Sequence, residues 1–98
     1  MDYISEYKSK LCTPEQAAAL VKSGDWVEYG AGVAFPKLCD AALAKRRDEL
    51  TDVKIRGILC YGPIEAVECD PEQKHFPHNS WHLPGYARKL AARGLCYY

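Results

Sequence analysis

No apolar run in the sequence approaches the roughly 20 residues that cross a bilayer. Nor do Met1-Asp2-Tyr3-Ile4-Ser5-Glu6 read as a secretory leader, being polar and acidic where a leader would be basic and then apolar. These absences predict a cytoplasmic protein with no membrane partner. Charge of one sign is also not in excess: Lys plus Arg and Asp plus Glu number 13 each, which argues against nucleic acid as a partner. The cysteines Cys12, Cys39, Cys60, Cys69 and Cys96 are odd in number, widely spaced and without a CxxC pair. That argues against a disulfide framework and a four-cysteine zinc site, and predicts five reduced thiols, most of them structural. GKS and GKT are absent, which excludes a nucleotide P-loop. There is no internal repeat and no low-complexity tract. The 98 residues suffice for one small domain, able to bury only about two thirds of the surface of its unfolded chain.

What is present reads as an α/β pattern. Residues 1–11 carry no clean period and are expected to lie along the surface. Thr13-Pro14-Glu15-Gln16 has the form of a capping box and predicts a helix from Pro14 to about Lys22, with Ala17, Leu20 and Val21 inward. Trp26 to Leu38 then reads as a short strand, a loop bearing Gly30 and Gly32, and a helix opening on Pro36. In that helix Leu38, Cys39, Ala41, Ala42 and Leu43 are expected to face inward, with Lys45, Arg46 and Arg47 as a solvated basic end. A second strand is expected over 53–59, making a right-handed βαβ crossover with parallel strands. From Cys60 to Pro84 the text is irregular and broken by prolines, too long a stretch for an idle connection. Pro84 to Arg93 predicts a third helix with Ala87, Leu90 and Ala91 inward, and Leu95 to Tyr98 the start of another strand. An apolar strand closing the sequence suggests the front portion of a longer α/β chain, truncated after Tyr98. A small, mostly parallel sheet would otherwise lack cover on both faces.

Three places could carry chemistry. The Gly30-Ala31-Gly32 turn before a helix N-terminus suits a phosphate or an acyl oxyanion, or serves only as a tight strand-to-helix connection. A dinucleotide site is disfavoured because Phe35 and Pro36 stand where the third glycine of that fingerprint belongs. His75, His78 and His82 with Cys69 form the one cluster of metal-ligand types, but Pro77 interrupts it and no CxxC or HExxH frame supports it, so no metal site is assigned. Asn79-Ser80-Trp81-His82 places an amide, a hydroxyl, two ring N–H groups and a flat surface within four residues, suited to a polar ligand. Trp81 as a core plug with solvated polar neighbours is the alternative.

Taken together, Trp26-Val27-Glu28-Tyr29-Gly30-Ala31-Gly32, Pro36-Lys37-Leu38-Cys39-Asp40-Ala41-Ala42-Leu43, Asn79-Ser80-Trp81-His82 and Tyr86-Ala87-Arg88-Lys89-Leu90 resemble the acetyl-CoA hydrolase/transferase family. Within it the pattern looks most like the butyryl-CoA:acetate CoA-transferases, from about Tyr7 to Tyr98. The resemblance implies an N-terminal fragment, residues 1–98, of a larger enzyme built from two similar α/β halves. It implies transfer of coenzyme A between short-chain acyl-CoA and carboxylate substrates through a glutamyl-CoA thioester, with no permanently bound cofactor. It also implies a homo-oligomer at full length, and a glutamate in the missing C-terminal half. None of Glu28, Glu65, Glu68 or Glu72 stands in that glutamate's motif, so this chain carries no catalytic residue and is expected to be inactive alone. By resemblance Gly30, Gly32 and Pro36 form one part of the cleft, and Asn79, Ser80 and His82 face the acyl or carboxylate group. Arg88 matches a basic helix position, or is simply an exposed helix cation. Gly32→Val is expected to abolish activity through a backbone clash. The rival reading is a self-standing binding or regulatory module using the Asn79–His82 loop.

Overall fold

Three parallel strands, β1 (Trp26–Ala31), β2 (Lys54–Ile58) and β3 (His78–Ser80), lie side by side in that order in a computed structural model that describes residues 2–98. The helices are α1 (Tyr3–Lys10), α2 (Pro14–Ala18), α3 (Lys37–Ala44), α4 (Glu65–Glu68) and α5 (Gly85–Ala92), with one 3₁₀ turn at Arg47–Glu49. The expected βαβ unit is β1-α3-β2, and α4 carries the chain on to β3. Register pairs Val27 with Ile55 and Ile55 with His78, then Glu28 with Arg56 and Arg56 with Asn79. Side chains alternate across a strand, so these rows mark the two faces of the sheet. Tyr29, Ile55, Gly57, His78 and Ser80 are buried, whereas Trp26 and Glu28 are exposed and Arg56 and Asn79 half-buried. The core joins Tyr29 and Ile55 to Ala18, Leu43, Val67, Phe76 and Leu90, so helices pack on one face and the other is bare.

Several sequence expectations are corrected. The first residues form a helix, because the Asp2 carboxylate accepts the N–H groups of Ile4 and Ser5. It does lie on the surface, with no buried residue, and Tyr3, Ile4, Tyr7 and Leu11 recur at helical spacing along it. The Thr13 capping box is formed, but α2 ends at Ala18 rather than near Lys22, and Leu20 is 77% exposed instead of inward. The early stop goes with Arg46, whose guanidinium donates to the carbonyls of Ala18 and Val21 at 2.6 and 2.8 Å. Arg46 is therefore half-buried and structural, not part of a solvated basic end.

Pro36 is the N-cap of α3 and the helix proper begins at Lys37. Leu38 is 70% exposed, and the buried residue of the first turn is Asp40. The irregular stretch 60–84 contains α4 and β3, each too short to show a period. Beyond α5, Tyr97 makes a single parallel bridge to Asn79, the beginning of the expected fourth strand. All five cysteines are free. Among the described residues no helix is long and apolar enough to cross a membrane.

Candidate functional site

Parallel strands deliver their following loops to one edge, the usual location of ligands in open α/β sheets. Here that edge gathers Gly30–Gly32 at the end of β1, Leu59–Gly62 after β2 and Trp81–His82 after β3. The first loop is shaped by two left-handed glycines, Gly30 at φ 77° and Gly32 at φ 63°. A Cβ at Gly30 would sit 3.1 Å from the Ala34 carbonyl oxygen, so both conformation and close approach call for glycine. At Gly32 nothing lies within 4 Å of such a Cβ, which removes the expected clash for Gly32→Val. Left-handed backbone, disfavoured for a β-branched residue, is the remaining reason. The Gly32 N–H donates to the Ile58 carbonyl at 2.9 Å and stitches the loop to β2. In the second loop Leu59 also holds a positive φ of 59°, a strained position that the sequence does not reveal.

Beneath these loops lies a buried polar cluster. The Asp40 carboxylate accepts the Tyr29 hydroxyl at 2.7 Å and the backbone N–H groups of Glu65 and Ala66 at 2.7 and 3.2 Å. Asp40 thus caps α4 from a different helix. Tyr86 adds to this by accepting the Ile64 N–H at 3.0 Å while donating to Glu68 at 2.8 Å, and Arg93 pairs with Glu68 at 3.0 Å. Burial, reinforced by the Asp40 charge, holds the Tyr29 phenol far above its ordinary pKa, and burial raises that of Tyr86. The Arg93 hydrogen bond lowers the pKa of Glu68.

Asn79, Ser80, Trp81 and His82 line one shallow pocket of about 320 Å³ together with Tyr98. Trp81 is 52% exposed, so it is no core plug. Ser80 is buried and its hydroxyl donates to the His82 carbonyl at 2.6 Å, which shapes the loop. The Asn79 amide donates to the Tyr97 carbonyl at 3.2 Å, and the His82 ring is exposed. Gly30, Gly32 and Pro36, which lead from β1 into α3, do not line this pocket, and Pro36 instead lines a separate one beside α2. Arg88 is outside it, exposed on α5 and donating to the Leu83 carbonyl at 2.9 Å. A second cleft of about 360 Å³ opens between the glycine loop and the loop after β2, lined by Phe35, Lys37, Asp40, Gly62, Pro63 and Glu65. Sequence reasoning missed Lys37, Asp40 and Glu65 here; an acidic residue inside an apolar helix stripe was the available signal for Asp40.

The three histidines are separated in role. His75 Nδ1 lies 2.6 Å from the Leu50 carbonyl and His78 Nδ1 2.9 Å from that of Ile55. A carbonyl only accepts, so Nδ1 of His78 carries the proton and its buried Nε2 is an acceptor without a partner. Burial lowers the His78 pKa. Among the described residues no three His, Cys, Asp or Glu side chains are grouped to hold a metal ion.

A one-sided parallel sheet with glycine-shaped and polar loops along its carboxyl edge defines a piece of an α/β fold. The sequence model of the acetyl-CoA hydrolase/transferase N-terminal domain matches residues 1–98, and the chain belongs to that family. It is 55% identical over 94 residues to a probable butyrate:acetyl-CoA coenzyme A-transferase of Syntrophomonas wolfei, covering 96% of this chain and 21% of the relative. It is 45% identical over 98 residues to the butyryl-CoA:acetate CoA-transferase of Anaerostipes caccae, covering 100% of this chain and 22% of the relative. Among solved structures, RipA from Yersinia pestis is similar, with 27% identity and a TM-score of 0.74 over 97% of this chain and 23% of that one. The chain thus spans about a fifth of the length of the relatives it matches.

Proposed function

We propose that residues 1–98 are part of the N-terminal domain of a cytoplasmic enzyme that moves coenzyme A between butyryl-CoA and acetate. The observation that carries this is the 55% and 45% identity, across nearly the whole chain, to relatives named respectively for butyrate with acetyl-CoA and for butyryl-CoA with acetate, the two directions of one exchange. Such a reaction exchanges one acyl thioester for another. A carboxylate nucleophile on the enzyme splits it into two easier steps, and remote binding of the coenzyme A moiety supplies orientation. That nucleophile is a glutamate outside this chain, so residues 1–98 contribute walls and orientation, not bond-making.

In this reading Gly30, Gly32 and Pro36 let the backbone approach the substrate from one side. Asn79, Ser80 and His82 form the wall facing its acyl or carboxylate end, with the His82 ring free to contact ligand. Arg88 is a surface cation that holds the Leu83 carbonyl. Coenzyme A enters as substrate, and the working form is a homo-oligomer of the full-length chain. The test is a chromatographic assay of the full-length protein with butyryl-CoA and acetate. Appearance of acetyl-CoA and butyrate in equal amounts is expected; consumption of neither substrate would contradict the proposal.

A further inference from the structure

Arg56 lies on β2 and lines neither pocket described above, yet its side chain links Trp81 of the first pocket to Trp26 and Glu28 on β1. On the bare face of the sheet its guanidinium carbon lies 5.1 Å from the centroid of the Trp26 ring and 5.2 Å from that of Trp81. It also pairs with Glu28. Glu28, Arg56 and Asn79 are in register, one row across all three strands. A guanidinium is planar and always charged, so it can stack on two indole faces while its edge meets a carboxylate.

The consequences reach the site at both ends of the row. Glu28 precedes Gly30 by two residues, so its strand position sets where the glycine loop leaves the sheet. Trp81 belongs to the Asn79–His82 run, and its backbone N–H donates to the Gly57 carbonyl at 3.2 Å, one residue beyond Arg56. With its backbone fixed on β2 and its ring on Arg56, Trp81 cannot swing without dragging His82, whose carbonyl is held by Ser80. We propose that Arg56 is a positioning residue for the cleft, clamping the Asn79–His82 wall to the glycine-loop strand through Trp81 and Glu28. The inference rests on the CoA-transferase reading above. Lysine in its place would keep the charge but lose the planar stacking and the fork toward Glu28.

The test compares full-length wild type with Arg56→Lys, Arg56→Met and Glu28→Gln, reading transfer kinetics, melting temperature and acrylamide quenching of tryptophan emission. A 1 Å misplacement of a positioned group typically costs on the order of a hundredfold, so Arg56→Met is expected to lower kcat/KM by roughly tenfold to a hundredfold. Quenching should increase as the indoles are freed, with Arg56→Lys intermediate in both readouts. Glu28→Gln, which keeps size and removes charge, should shift the same two readouts less and keeps the test available if Arg56→Met does not fold. Active wild type with unchanged kinetics in the variants that fold would overturn the clamp alone. Loss of activity that tracks melting temperature with unaltered quenching would overturn it too. Wild type without transfer activity would overturn the parent reading and the clamp with it.

Discussion

Asp40 is the single side chain whose removal should be felt most widely. Its carboxylate satisfies a phenol and two backbone N–H groups in a buried setting. Leaving buried donors unpaired costs about 1–3 kcal/mol each, so Asp40→Ala should destabilise the full-length protein by about 3 kcal/mol or more in urea unfolding. Asp40→Asn, which retains one accepting oxygen, should lose less. At the glycine loop, Gly30→Ala should cost more stability than Gly32→Ala. Both force a side chain into left-handed backbone, worth about 1–2 kcal/mol, but only the first also meets the Ala34 carbonyl. Paired melting curves of the two variants check that order.

His78 gives a pH dependence with a definite sign. Its folded-state pKa is lowered from 6.5 by burial, so between the lowered value and 6.5 the unfolded chain binds more protons than the folded one. Stability contributed by neutral, buried His78 is present above about pH 6.5 and is lost as pH falls through that window. Urea midpoints at neutral pH and at mildly acidic pH should therefore converge when His78→Asn is compared with wild type, the variant having no imidazole to protonate.

At the scale of elements, the fold is assembled by side chains that reach from one element to cap another. Arg46 closes the end of α2 from beyond α3, and its removal in Arg46→Met should fray residues 19–21. Amide exchange at Leu20 and Val21 should then quicken, with a stability loss of about 1–3 kcal/mol from charge-assisted bonds to carbonyls. Unchanged exchange would assign Arg46 no capping role. Such reach across the chain is also why the sequence was legible only in part. The Thr13-Pro14-Glu15-Gln16 cap, the β1-α3-β2 crossover and α5 follow from local signals that the structure respects. The end of α2 depends on a partner 25 to 28 residues away and the burial of Asp40 on partners 11 to 26 residues away, which no local pattern encodes. For α4 and β3, at four and three residues, the period never has room to repeat. The candidate site was legible where residues adjoin, as in Asn79–His82. Where walls meet through space, as at Lys37 and Glu65 or through Arg56, it was not.

At the scale of the molecule, helices cover one sheet face and leave the other bare with Trp26 and Trp81 about half exposed. Tyr3, Ile4 and Tyr7 on α1, with Leu11 at its C-cap, add an exposed apolar stripe. Parallel sheets are normally covered on both faces, and contiguous exposed apolar surface promotes association. Residues 1–98 produced alone are therefore expected to self-associate, a property that sedimentation velocity measures directly; a monodisperse monomer with a cooperative melt would count against this. The proposed function makes the carboxyl-edge loops and the proposed clamp one wall of a coenzyme A transferase cleft whose nucleophile lies outside residues 1–98. The most direct measurement is intact-mass and peptide-mapping analysis of the full-length protein after incubation with butyryl-CoA in the absence of acetate. A covalent coenzyme A adduct on a glutamate outside residues 1–98, discharged on adding acetate, is the predicted result; no adduct, or one within residues 1–98, would contradict the account.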